Sequence, residues 1–121
     1  MAVQKQDGLH TDTMESAEDL TGKEDYFVTR NSAGKAALCG AGEVISGVIS
    51  EGRAAGYHTS YNTKGNPILR VVAGEALAIG AEVGSNGSGQ AATGQANPIG
   101  RARKAVGGSG EIAEIETYST T

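Results

Sequence analysis

The chain has 121 residues and a mass of 12.2 kDa, room for one domain of ordinary size. It holds 19 Gly, only 21 residues of Leu, Ile, Val and Phe, and no Trp, and its formal net charge is −4. No apolar run approaches the length of a membrane span, the first residues lack the apolar region of a signal peptide, and Gly does not recur at every third position, so membrane helix, secretory leader and collagen are all unexpected.

A small net charge does not meet the composition of a disordered chain, which needs few apolar residues and a high charge together. The expectation is an ordered domain with a thin core, one that gains stability from a partner or from copies of itself. Cys39 is the single cysteine, so no intrachain disulfide can form. One Cys and two His give no zinc-type spacing, and no metal or cofactor is expected. The pI near 5.1 argues against nucleic acid as a partner.

Residues 1–25 carry seven acids against two bases and almost no strand pattern. They read as an acidic N-terminal arm, with residues 26–121 as the β domain. A helical turn is expected at Asp12–Leu20, where Asp12 caps and Glu15 sits three residues later. The arm is read as ordering against a neighbouring subunit through sparse apolar anchors, Val3, Leu9, Met14 and Leu20; a disordered tail is the plainer alternative.

Strand texture begins at Tyr26–Arg30, followed by the turn Asn31–Gly34 and a return strand at Ala36–Cys39. Glu43–Glu51 is rich in β-branched residues, and Gly47 marks a bulge or a close backbone contact. Gly56–Tyr61 places Tyr57, Thr59 and Tyr61 on one side. Pro67–Val72 is a strand opened by Pro, and Glu75–Ile79 could form a helical turn. Ala81–Ser85 leads into Asn86-Gly87-Ser88-Gly89, the clearest hairpin signal in the chain. Short strands follow at Gln90–Thr93 and Pro98–Arg103. Glu111–Tyr118 has helical spacing at Ile112 and Ile115 but a β-rich tail, and reads as a strand. Turn signals at this spacing point to a small all-β sandwich or barrel.

There is also an internal repeat. Residues 28–37 align with 83–92 as strand, Asn-containing turn, Gly, polar residue, Ala-Ala, and Ile45–Val48 aligns with Pro98–Arg101. The offset drifts from 55 to 53. Two similar hairpin units packed together suit a closed β-barrel.

The Gly-rich stretches do not cradle phosphate. Gly34-Lys35-Ala36 lacks the Ser or Thr of a P-loop, and Gly40-x-Gly42 lacks the third Gly of a dinucleotide fingerprint. His58 reads as a surface or interface residue, Cys39 as a small buried apolar one, and Glu114 with Glu116 as a solvated face. No nucleophile, base and orienting group converge, so catalysis is not expected. Arg101, Arg103 and Lys104 form the one basic cluster, which fits a solvated face or a patch complementary to an acidic surface.

The stretch 66–118 runs through Ala73-Gly74-Glu75-Ala76 with Gly80, Val83 to Ala91, Ile99-Gly100-Arg101-Ala102 and the Gly-rich turn before Tyr118. With Glu43–Gly52 before it, this succession resembles the small capsid cement, or decoration, proteins of tailed bacteriophages, over roughly residues 26–118. The resemblance implies a β-barrel or β-tulip domain with an extended N-terminal arm. It implies homotrimers on the capsid exterior, bound to the major capsid protein, with no catalysis, nucleic acid or membrane. The residues leave two other readings open: another oligomeric virion part from the tail or head-completion machinery, and a carbohydrate- or host-surface-binding module, which the lack of Trp weakens.

Overall fold

In the computed structural model, which describes residues 10–118, short strands alternate with turns and loops, and the clearest strands put apolar residues on one face. No helix occurs among the described residues. The first half of the chain supplies β1 (Thr11–Glu15), β2 (Phe27–Arg30), β3 (Ala36–Leu38), β4 (Gly47–Glu51) and β5 (His58–Thr63). The second supplies β6 (Ile68–Val72), β7 (Glu82–Ser85), β8 (Ala91–Ala92), β9 (Gly100–Ala102) and β10 (Ile112–Thr117).

Each half is one antiparallel five-stranded sheet, with orders β1-β5-β4-β2-β3 and β6-β10-β9-β7-β8. These are the same order, one strand for one strand. The registers agree as well. Thr11 pairs with Asn62 where Ile68 pairs with Glu116, and Ile49 pairs with Tyr61 where Ala102 pairs with Ile115. The repeat seen in the sequence is therefore a duplication of the whole sheet.

The best-kept element is the hairpin turn. Asn31 Oδ1 accepts from the N–H of Ala33 and of Lys35, and Asn86 Oδ1 accepts from the N–H of Ser88 and of Gln90, all at 2.8–3.0 Å. Gly34 and Gly89 close the two turns at φ 78° and 74°, a left-handed conformation that suits Gly. Where the sequence has drifted, the backbone has not. Asp25, at φ 71°, stands opposite Gly80 at 83°, and Asn97, at 54°, opposite Gly42 at 69°.

The sheets curl strongly. Their edge strands meet at one parallel bridge in each half, Ser16 with Ala36 and Ala73 with Ala91. The ladders stop there, so the expected closed barrel is corrected to two curled sheets. Inside the first curl lie Met14, Leu20, Val28, Ala36, Ile49 and Tyr61. The six equivalent positions of the second, Val71, Leu77, Val83, Ala91, Ala102 and Ile115, are buried too. Thr59 and Ser16, both buried, hydrogen-bond side chain to side chain at 2.6 Å, where the second half has Ala113 and Ala73. A polar pair thus replaces an apolar one at no cost in satisfaction.

The halves are joined asymmetrically. Phe27 and Val48 point away from the first core, yet they are buried, together with Cys39 and Ile45, in the core cluster of the second half. Three backbone bonds cross the seam: Phe27 N–H to Gly89 O (2.8 Å), Val72 N–H to Asp25 O (2.8 Å) and Gly42 N–H to Ser85 O (3.0 Å). The linker is pinned by Asn66, whose side chain accepts from His10 N–H and donates to the carbonyls of His10 and Thr63.

Several expectations change. The helical turn at Asp12–Leu20 is β1 and a loop, because five residues of β1 pair with β5. Glu75–Ile79 is not helical; Leu77 bridges Val106 instead. Residues 10–25 belong to the folded domain rather than to a separate arm, since Met14 and Leu20 fill its core. Gly47 is a point of close approach, and the bulge falls between Ile49 and Glu51. Tyr57 precedes β5 and is exposed, while Thr59 and Tyr61 face inward.

A Cβ on Gly47 would collide with the Asn62 carbonyl oxygen, and one on Gly100 with the Glu116 carbonyl oxygen at the equivalent place. Gly47→Ala and Gly100→Ala should each cost about 1–3 kcal/mol in urea unfolding. Asn86→Ala should cost more than Asn31→Ala, because only the second hairpin carries seam contacts at Ser85 and Gly89.

Candidate interaction surface

The outward face of the second sheet is open. It carries Ile68 and Arg70 from β6, Ile112, Glu114 and Glu116 from β10, and Arg101 from β9. Register sets the charges opposite one another. Arg70 faces Glu114 across β6 and β10, and Glu116 faces Arg101 across β10 and β9. Cross-strand pairs of opposite charge are each worth only a few tenths of a kcal/mol to about 1.

Arg101 and Arg103 both point outward, with buried Ala102 between them. They serve different carboxylates. Arg103, Lys104 and Arg70 all lie within 3.8 Å of the Glu114 carboxylate. One acid among three bases leaves a local excess of positive charge, suited to an anionic surface. Arg101 donates to the Gly80 carbonyl at 2.9 Å, lies 3.9 Å from Glu82, and sits 6.0 Å from the Tyr118 ring centre. Arg70, Glu82 and Tyr118 were not legible as members of this face, because their places depend on long-range register.

The remaining predicted residues fall elsewhere. Met14 and Leu20, expected as anchors for a neighbour, are 5% and 1% exposed in this chain's own core, and this is a correction: both face the inside of the first curl. Val3 and Leu9 lie outside the described residues. His58 is exposed. Cys39 is buried, and burial pushes its thiol pKa up. Among the described residues no cluster of His, Cys, Asp and Glu has the grouping of a metal site, and no helix is long and apolar enough to cross a membrane.

A cleft of about 190 Å³ opens on the seam, lined by Val44, Ile45 and Lys64 from the first half and Pro98, Ile99 and Tyr118 from the second. Val44 and Tyr118 on its rim are 56% and 36% exposed. Of the exposed large apolar residues, Ile68, Ile79, Ile112 and Tyr118 belong to the second half. That half presents the more interface-like surface.

Tyr118 O–H donates to Glu82, which raises the tyrosine pKa above its usual value of 10.0; nearby Arg101 acts in the opposite direction. A raised phenol pKa means the neutral form is favoured by the fold. The contact therefore holds below the unfolded pKa and is lost as pH rises through the folded one. Glu82→Ala should move the Tyr118 ionisation to lower pH, read from tyrosinate absorbance across an alkaline titration; Arg101→Ala should move it higher.

No protein-family sequence model matches the chain, and no curated protein matches it in sequence. Among solved structures, the head fiber gp8.5 N base in bacteriophage phi29 has the same fold, with a TM-score of 0.71 over 91% of this chain and 94% of that one, at 12% sequence identity.

Proposed function

We propose that this chain is a structural protein of a bacteriophage head, seated on the outer surface of the shell. In detail, it binds the major capsid protein as a homotrimer and braces the shell against the pressure of packaged DNA, as a cement protein does. The fold likeness to the phi29 head fiber N base carries this reading, because it spans nearly all of both chains. The Gly and Ala punctuation of residues 66–118 supports it from a separate direction.

The physical arguments run the same way. The core is thin, with six equivalent side chains inside each curl and few others around them, and such a domain gains from every surface it buries on a larger body. The open sheet face is cationic around Glu114 and flanked by exposed Ile68 and Ile112. Many copies making weak contacts on one lattice act multivalently, so no single contact needs to be strong. Arg101 and Arg103 are proposed contacts with the shell or with a neighbouring subunit, and Val3 and Leu9 are proposed anchors of the N-terminal segment.

Co-sedimentation with empty shells, expanded and unexpanded, tests this. Saturable binding is expected, weakened about tenfold by Arg101→Glu with Arg103→Glu at low salt and less affected at high salt. Absence of binding to either shell form would overturn it, and a stable hexameric ring in solution would favour a tail or connector part.

A further inference from the structure

The two halves pack head to tail. The first half offers an outward face centred on Phe27 and Val48, and the second receives it at the β7–β8 hairpin and β6. Such packing leaves two ends unused: the second half's copy of the offering face and the first half's copy of the receiving face. We propose that these two ends dock onto each other between copies of this chain, repeating the internal seam as a head-to-tail contact.

The equivalences define both surfaces. On the offering end, Glu82 stands where Phe27 stands and Arg101 where Val48 stands, as their shared pairing shows: Phe27 with Val48, Glu82 with Arg101. On the receiving end, Gly34 stands for Gly89 and Arg30 for Ser85, while β1 stands for β6. All four of Glu82, Arg101, Arg30 and Gly34 are exposed, whereas Phe27, Val48, Ser85 and Gly89 are buried.

Superposing the internal seam on the free ends brings opposite charges together. Glu82 would reach the Gly34 turn, which is flanked by Arg30 and Lys35. Arg101, which replaces a residue on the strand in contact with β6, would reach β1, which carries Asp12 and Glu15. The backbone is ready as well. Phe27 N–H, Gly42 N–H and Val72 N–H donate across the seam to Gly89, Ser85 and Asp25. The equivalent donors, the N–H groups of Glu82, Asn97 and Glu15, and two of the equivalent acceptors, the carbonyls of Gly34 and Arg30, make no hydrogen bond beyond the strand ladders among the described residues.

An apolar seam inside the chain and a charged one between chains fit their different tasks. The internal contact is permanent, and the external one forms and breaks with salt and concentration. Head-to-tail contacts close into a ring when the rotation allows, and a trimer is one such ring. The inference deepens the self-association in the proposed function and rests on that part of it, not on the shell.

The test uses full-length chains bearing Glu82→Cys or Lys35→Cys, oxidised with diamide in concentrated low-salt solution; native Cys39 is buried. Disulfide-linked dimers are expected only when the two variants are mixed, with neither linking to itself. A chain carrying both substitutions should give trimers or longer species. Circular dichroism checks that each variant is folded. Self-linking of either variant alone, or no mixed dimer although both thiols remain titratable, would overturn the proposal and make the charged ends solvent-facing caps. Shell sedimentation of the same variants is scored separately. Mixed dimers without shell binding sink only the phage-head reading, and shell binding without mixed dimers sinks only this one.

Discussion

Phe27 and Val48 lie on the outward side of the first sheet, where a small β domain ordinarily meets water, and both are buried beneath the second half. The rest of the structure depends on this contact. Inside each curl only six equivalent side chains form the common core, and two of those in the second half, Val71 and Ala102, stand where the first has Met14 and Ile49. Burial on that scale does not offset the entropy of ordering some fifty residues at about 1–2 kcal/mol each. The seam joins the second curl to apolar side chains of the first, so the two sheets share one larger core. Neither half is a domain by itself.

The duplication also separates what the backbone needs from what the side chains need. The Asn that caps each hairpin and the Gly that closes it are the same in both halves, because no other pair supplies two acceptor contacts and a left-handed turn so cheaply. The core positions have changed freely within apolar types, as cores do when volume is made up elsewhere. Tyr61 becomes Ile115 and Ile49 becomes Ala102, while Leu69, Ile99 and Val106 fill in around the smaller set. Ser16 with Thr59, against Ala73 with Ala113, shows the same site solved by a hydrogen bond and by apolar contact.

Much of this was legible in the sequence, and the failures share a cause. β2 and β6 follow from their β-branched and aromatic residues, β3 from the turn that precedes it and β10 from its β-rich end, and both Asn-containing turns follow from their own few residues. The repeat was visible because those turns are its least changeable part. β1 was not visible. Its sequence, TDTME, holds one apolar residue, Met14, and reads as part of an acidic run. What makes it a strand is pairing with β5, more than forty residues away, and no local pattern encodes that. The cationic face was legible as Arg101, Arg103 and Lys104. Arg70 joined it only through the register of β6 on β10, which brings its guanidinium to the same carboxylate.

The composition then has a structural reason. A chain with 21 large apolar residues cannot fill one deep core, but it can fill two shallow curls and a seam. Tight curling demands many turns, and the turns account for much of the Gly content. The same economy limits what the surface can be. Had the second half kept Phe and Val at the positions of Glu82 and Arg101, each chain would present an apolar face of the kind already shown to bury itself on a neighbouring sheet, and growth would be uncontrolled. Charges at those two positions keep the form of the sheet and remove that unconditional attraction. The same backbone thus carries an apolar pair where it is buried for good, Phe27 with Val48, and a charged pair where it meets water, Glu82 with Arg101.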